Sequence, residues 1–183
     1  IFDVLWVGKL DFRKQLGLAL RIIAEANNKR IRFHIVGGGN NTAYISLANK
    51  LGIEKQCIWH GSISHNEVQK IMQDSDVFLF TSVAEGTPHV VLEAISNNLP
   101  VICFDTCGQG DSVNSKIGVK IKLSNPDLSI KEFSKIINYL ESDRTILHEM
   151  AINCKERQTE LSWNEKTKAM IELYNKALYN ERT

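Results

Sequence analysis

Six short runs rich in β-branched and aromatic residues are separated by longer stretches whose apolar residues recur every three or four positions. The runs are DVLWV (3–7), IRFHIV (31–36), CIWH (57–60), DVFLF (76–80), VICF (101–104) and GVKIKL (118–123), each with the length and make-up of a strand. Between them, 13–28, 41–51, 65–74 and 88–98 carry helical spacing. In the first of these, Leu16, Ala19, Leu20 and Ile23 form one stripe. This order predicts an α/β fold: a Rossmann-like parallel sheet covered by helices on both faces, with right-handed crossovers. From about 129 to 181 the pattern changes. Residues 129–142, 144–161 and 163–180 read as three helices with no strand between them, and Asp127 and Ser129 are the expected caps of the first. No repeat, low-complexity segment or linker interrupts the chain, so residues 1–183 are expected to form one domain with a helical tail.

The charge balance excludes one class of partner. Net charge is +1, with 43% hydrophobic and 23% charged residues, so no polyanion-binding face is expected and nucleic acid is not a partner. No apolar run approaches the ~18 residues of a membrane span, and no signal-peptide pattern is present. Cys57, Cys103, Cys107 and Cys154 form no Cys-x-x-Cys pair and have no histidine at zinc spacing. They read as reduced, buried thiols, which fits a cytoplasmic location. The opening IFDVLWVG reads as a strand already under way, without a leading Met, so the chain is expected to be a piece of a longer one.

In open parallel sheets ligands bind beyond the carboxyl ends of the strands. The segments there are GKLDFRK (8–14), GGGNN (37–41), GSIS (61–64), TSVAEGTP (81–88) and DTCGQGDS (105–112). Four are rich in Gly, Ser or Thr and the other holds a basic cluster, the chemistry of a phosphate and sugar site.

The fourth segment runs into VAEGTPHVVLEAI (83–95), with glutamates at 85 and 93 around a helix start. Thr87 is the expected N-cap and Pro88 the first helical residue, where proline's missing N–H costs nothing. The free amides of the first turn, backed by the helix dipole, suit an anion, and Gly86 lets a ligand approach the backbone. Glu93 shares a row with His89 and Asn97 and leans towards the helix N-terminus. A carboxylate there suits a cis-diol, and Glu85 reaches the same space from the loop. Taken alone, the pair is equally consistent with a glutamate complementing the helix dipole and a solvated helix residue.

The surrounding residues extend the pattern. EGTPHVVLEAISNNLPVI resembles the Glu-x7-Glu signature of the retaining, family-four glycosyltransferases with the GT-B fold (glycosyl transferases group 1). WVGKLDFRKQLGLALRIIAEA resembles that family's strand-to-helix Gly-Arg-Leu…Lys-Gly segment. FHIVGGGN, WHGSISHNEVQKIMQDSDVFLFTS and LSWNEKTKAMIELY follow in the family's order. The resemblance covers essentially the whole chain and corresponds to the C-terminal, nucleotide-sugar-binding half of such an enzyme. It implies transfer of a sugar from a nucleotide-diphosphate sugar to an acceptor with retention of configuration and without a metal or other cofactor. Lys9 and Lys14 would grip the diphosphate with help from Arg13, in the loop opened by Gly8. Glu85 would bind a donor-sugar hydroxyl and Glu93 the ribose. The backbone from Gly86 through Thr87 and Pro88 to His89 would meet the sugar or phosphate, and Gly61, Ser62 and Ile63 would lie against the base. Acceptor contacts would come from an N-terminal domain absent from this chain. The fragment alone would be inactive, and the full-length enzyme could sit peripherally at the inner face of a membrane. Two positions depart from the family pattern. Lys9 replaces Arg, keeping charge but losing bidentate recognition, and Gln15 replaces the Gly after Lys14.

Other signals read as structural. DSD (74–76) ends a helix and opens a strand at the edge opposite the site, as turn and cap residues do. GGGN (37–40) lacks the Gly-x-Gly-x-x-Gly spacing and reads as a tight turn. His34 and His148 fall inside elements; His60, His65 and His89 lie near loops without a triad arrangement, His89 within reach of a phosphate. Asp111 reads equally as a turn residue and as the acidic residue the family often has there. The alternatives are a noncatalytic nucleotide-binding or interaction domain of the same fold, or a sugar-nucleotide epimerase or phosphorylase.

Overall fold

Alternate residues of the central strands go to two different cores. Along β1 (Phe2–Val7) in this computed structural model, which describes residues 1–180, Phe2, Val4 and Trp6 are buried in one apolar cluster and Leu5 in another. In β4 (Val77–Phe80), Val77 and Leu79 face the first cluster, Phe78 and Phe80 the second. In β5 (Val101–Phe104), Ile102 and Phe104 oppose Val101 and Cys103 in the same way. Strands buried on both faces are what helices on both sides of a parallel sheet produce.

The sheet has six strands in the order β3-β2-β1-β4-β5-β6, and every neighbouring pair is parallel. The others are β2 (Ile31–Val36), β3 (Cys57–Gly61) and β6 (Gly118–Ile121). On one face lie α1 (Leu16–Ala26), α2 (Thr42–Lys50) and α6 (Pro126–Ser142), which contribute Leu16, Leu20, Ala48, Phe133 and Ile137 to the core. On the other lie α3 (His65–Asp74) and α4 (His89–Ser96), contributing Met72, Val91, Ala94 and Ile95. The helix α7 (Arg144–Glu160) reaches both cores, through Leu147 and Cys154. It leads to α8 (Trp163–Asn180). The chain winds outward from β1 to β3 and then returns to β4 beside β1. Crossovers diverge at that switch point, and a crevice opens beyond the carboxyl ends of β1 and β4.

The structure corrects several expected boundaries. The helix expected over 13–28 divides into a 3-10 turn at Phe12–Lys14 and α1, with Gln15 between them at φ 55. Strand β6 stops at Ile121 rather than 123. The cap of α6 is Asn125, whose Oδ1 accepts from Leu128 N at 3.0 Å. Asp127 therefore lies in the first turn and Ser129 is buried inside the helix, so neither caps it. A further helix, α5 (Cys107–Ser112), occupies what reads in sequence as a Gly-rich loop. The tail's expected last residue, 181, lies outside the described residues.

Candidate functional site

The floor of the crevice is built where β1 and β2 end together. Gly8 N donates to Val36 O at 3.0 Å, and a Cβ on Gly37 would sit 1.7 Å from Gly8 O. Only glycine permits that approach, and Gly37 also has φ +150. Beyond Gly8 the chain is tied by Leu10 N to Gly38 O (3.1 Å). Asp11 then caps the 3-10 turn, its Oδ1 accepting from Arg13 N (3.0 Å) and Lys14 N (3.2 Å). Gln15 adopts the left-handed conformation that a glycine takes freely, and its Nε2 donates to Phe12 O at 2.7 Å. The departure from the family's glycine thus keeps the turn. Lys9 and Arg13 are exposed on this loop, while Lys14 points inward.

The residues after β4 lock onto that loop. Trp6 Nε1 donates to Thr81 Oγ1 (3.1 Å), which donates to Lys14 O (2.9 Å). Ser82 Oγ donates to Glu85 Oε1 at 2.6 Å, and Lys14 Nζ reaches the same oxygen at 2.5 Å. The two charged side chains are only 17% and 14% exposed, so water screens the pair weakly. Burial pushes the Glu85 carboxyl up, but its hydrogen bonds from Lys14 and Ser82 and the charges of Lys14 and Arg13 outweigh it and hold it below its ordinary value. A charge-assisted contact of this kind contributes on the order of 1.5–3 kcal/mol.

The start of α4 differs from expectation. Thr87 makes no side-chain cap; Pro88, buried, takes the N-cap position and the helix begins at His89. His89 N is turned to Thr87 O (2.9 Å) and Val91 N to Pro88 O (2.9 Å). Among the described residues, the amides left without a protein partner here are those of Gly86, Thr87 and Val90. Gly86 is exposed, and a Cβ there would meet nothing within 4 Å. Glu93 is half-buried, and among the described residues its carboxylate has no hydrogen bond or ion pair. The structure therefore joins Lys14 and Glu85 directly but does not bring Glu93 into their network. The loop Gly61-Ser62-Ile63 does reach the same edge. Gly37 N donates to Gly61 O (2.9 Å), and a Cβ on Gly38 would lie 3.5 Å from Ser62 Cβ.

Other residues are placed away from this cluster. Asp76 spends its carboxylate on Asp3 N (2.7 Å) and Arg144 Nη1 (2.5 Å) at the amino ends of the strands, and Asp74 is the last residue of α3. A chain missed in sequence runs across the sheet: Asp3 Oδ1 to His34 Nε2 (2.9 Å), then His34 Nδ1 to His60 Nε2 (3.0 Å). It depends on the register of three strands, and Arg32 pins its acid with two bonds of 2.6 and 2.7 Å. Cys103 and Cys154 are buried, and burial pushes both thiols up to about 12. Cys107, expected to be buried, is exposed at the start of α5. Asp111 lies within α5, exposed, its carbonyl rather than its carboxylate engaged by Arg157. A cleft of about 490 Å³ between Met72, Asn97, Arg144 and His148 also lies at the amino ends.

Comparison with known proteins agrees with this architecture. Residues 2–160 match the model of the family described as glycosyl transferases group 1. An uncharacterized glycosyltransferase of Methanocaldococcus jannaschii is 24% identical, over 96% of this chain and 45% of its own length. A lipopolysaccharide 1,6-galactosyltransferase of Salmonella typhimurium is 32% identical over 67% of this chain and 35% of its own. Among solved structures, HepE of Anabaena in complex with UDP superposes with a TM-score of 0.80 at 18% identity, covering 96% of this chain and 49% of that one. The chain thus spans less than half the length of the curated relatives it matches. With a six-stranded doubly wound sheet and a family match over nearly its whole length, the chain belongs to the glycosyl transferases group 1 family.

Proposed function

We propose that this chain is the donor-binding half of a retaining glycosyltransferase that takes a nucleotide-diphosphate sugar and needs no metal. The observation that carries the reading is the Lys14–Glu85 pair at the sheet's switch point, in a member of a glycosyltransferase family. When the glycosidic bond of the donor breaks, negative charge grows on the leaving diphosphate. Lys9, Arg13 and Lys14 lie on one loop facing that position, and a preorganised donor of this kind is worth on the order of 3 kcal/mol in the transition state. A diphosphate that draws Lys14 Nζ to itself leaves Glu85, still held by Ser82, free to meet a sugar hydroxyl. In the same reading the free amides of Gly86 and Thr87, with Pro88 and His89, border the sugar or phosphate. Glu93 takes the ribose, and Gly61, Ser62 and Ile63 line the base. That HepE is described in complex with UDP supports a nucleotide diphosphate as ligand.

The acceptor then belongs to a second, N-terminal domain of the whole protein. Trp163, Met170, Ile171 and Tyr174 form an exposed apolar face on α8 that suits burial against such a domain. No described helix is long and apolar enough to cross a membrane. Peripheral association of the full-length protein with the cytoplasmic face of a membrane belongs to the same proposal. The test is product analysis of the protein with that domain restored, in EDTA. A product sharing the donor's anomeric configuration is expected, and none from residues 1–183 alone. Inversion, a strict Mg²⁺ requirement, or comparable transfer by residues 1–183 alone would contradict it.

A further inference from the structure

The short helix α5 is clamped from outside and pressed against the loop that carries Glu85. At its carboxyl end Lys120 Nζ donates to Gly110 O (3.0 Å), Arg157 Nη2 to Asp111 O (2.6 Å) and Arg157 Nε to Ser112 O (2.9 Å). At its other end Gly108 lies so close to the donor loop that a Cβ would come within 2.1 Å of Gly86 O and 2.8 Å of Pro88 Cδ. Between these contacts sits Gln109, 0% exposed. Its Nε2 donates to Ser82 O at 3.2 Å, in a bond buried from solvent.

Ser82 lies two residues past the end of β4, where the strand ladder no longer supplies a donor to its carbonyl. Gln109 supplies one from 27 residues away. Fixing that peptide fixes the direction of the Ser82 side chain, whose hydroxyl holds Glu85 Oε1 at 2.6 Å. The other atom of the carboxamide gives a second indication. Gln109 Oε1 is the one buried side-chain polar atom among the described residues with no hydrogen-bond partner in the protein. A buried amide whose oxygen has no partner is a poor choice for stability alone, since an apolar side chain of the same shape leaves no polar group unmatched. What Gln109 does contribute is its single bond to Ser82.

We propose that Gln109 is a positioning residue for the sugar-binding carboxylate: it pins Ser82, and Ser82 aims Glu85. The assignment rests on the reading of this edge as the donor site. Gln109 touches no substrate itself, and Arg157 and Lys120 act at one remove by holding α5 in place. Because Glu85 is assigned to the sugar rather than to the nucleotide, loss of the pin affects the sugar's contribution to binding and leaves that of the nucleoside diphosphate intact.

The experiment is calorimetric titration of the 183-residue chain with UDP and with UDP-glucose, before and after Gln109→Met. Methionine keeps the length and volume of the side chain and removes both polar atoms. The melting temperature is expected to be retained or raised and UDP affinity to stay within about twofold. The ratio of UDP-glucose to UDP affinity is expected to fall about tenfold, the scale of loss when a ligand-positioning group shifts by a fraction of an ångström. In a Ser82→Ala background the same substitution should cost nothing more, because the hydroxyl it aims is gone. Arg157→Gln, which loosens α5 from its other end, is expected to give the same split if Gln109→Met proves unstable. An unchanged ratio, an equal loss for both ligands, or full additivity with Ser82→Ala would overturn the assignment. Failure of the unmutated chain to bind UDP, GDP or ADP would instead overturn the donor-site reading, and this assignment with it; where GDP or ADP is the one bound, its sugar form replaces UDP-glucose in the titration.

Discussion

Lys14 Nζ and Glu85 Oε1 lie 2.5 Å apart although 71 residues separate them in sequence. One sits in the turn after β1, the other in the loop after β4, and the contact closes the switch point of the sheet. Nothing local dictates it. It exists because the strand order returns β4 to the side of β1, and because Thr81 and Ser82 tie the two loops together. Lys14 is thereby held at the edge of the sheet with its charge balanced by Glu85.

Replacing Lys14 with alanine removes a charged contact and leaves Glu85 mostly buried without its cation. Nucleoside diphosphate affinity is expected to fall about 10- to 100-fold, the equivalent of one charge-assisted hydrogen bond. The melting temperature is expected to fall as well, because the carboxylate loses its partner. Lys9→Ala, at an exposed residue with no ion pair among those described, is expected to weaken binding by a similar or smaller factor and to leave stability unchanged. Calorimetry and thermal melts on the two variants measure both quantities. Equal melting temperatures for Lys14→Ala and the parent chain would contradict the role given to the pair.

The same pair gives a pH dependence with a definite sign. Glu85 has a folded pKa below its ordinary 4.5. Its contribution to stability is therefore complete above about 4.5 and is lost as pH falls through the lower, folded value. Thermal melts from pH 6 to pH 3 should show the parent chain losing stability more steeply than Glu85→Gln, the two curves converging at the acid end. Parallel curves would show that Lys14 does not stabilise the ionised carboxylate.

Much of this was legible in the sequence, for a physical reason. Strands buried on both faces must be apolar along their length, so the runs that form β1, β4 and β5 stand out, and the stripe of Leu16, Ala19, Leu20 and Ile23 is buried as its spacing requires. The family motifs fall at the carboxyl edge of the sheet, where Lys14 and Glu85 meet. What was not legible depends on tertiary contact. Helix α5 has two glycines in six residues and a loop-like composition; it forms against bonds from Lys120 and Arg157 that no local pattern encodes. The cap at Thr87 failed because the His89 amide turns back to the Thr87 carbonyl, which leaves Pro88 at the cap position. The pairing of Asp3, His34 and His60 needs the relative registers of β1, β2 and β3.

Two glycines separate steric need from ligand access. At Gly37 a Cβ would collide with Gly8 O, and the backbone is left-handed. Gly37→Ala is expected to destabilise the fold by at least ~2 kcal/mol. At Gly86 a Cβ would meet nothing within 4 Å, so Gly86→Ala should leave the melting temperature unchanged. If a donor lies against that backbone, the same substitution should still lower nucleotide-sugar affinity. Denaturant melts and titrations on the two variants decide it, and unaltered sugar-nucleotide binding by Gly86→Ala would place the donor elsewhere.

Glu93 stands outside the Lys14–Glu85 network, and a ribose is the partner proposed for it. Glu93→Ala is expected to weaken binding of a ribonucleoside diphosphate about tenfold, within the range for a hydrogen bond to a charged group. Binding of the 2′-deoxy analogue is expected to be insensitive to the substitution. An equal loss with both ligands would remove the ribose assignment and leave Glu93 as a structural residue of α4.

In the proposed function the carboxyl edge of this sheet binds a nucleoside diphosphate through fixed cations rather than through a metal. Calorimetric titration of the 183-residue chain with UDP, GDP and ADP, each in the presence of EDTA, is the deciding experiment. One-to-one binding of at least one of the three is expected, unchanged when Mg²⁺ replaces EDTA and weakened at least tenfold by Lys14→Ala. Binding that appears only with Mg²⁺, or that persists undiminished in Lys14→Ala, would contradict it.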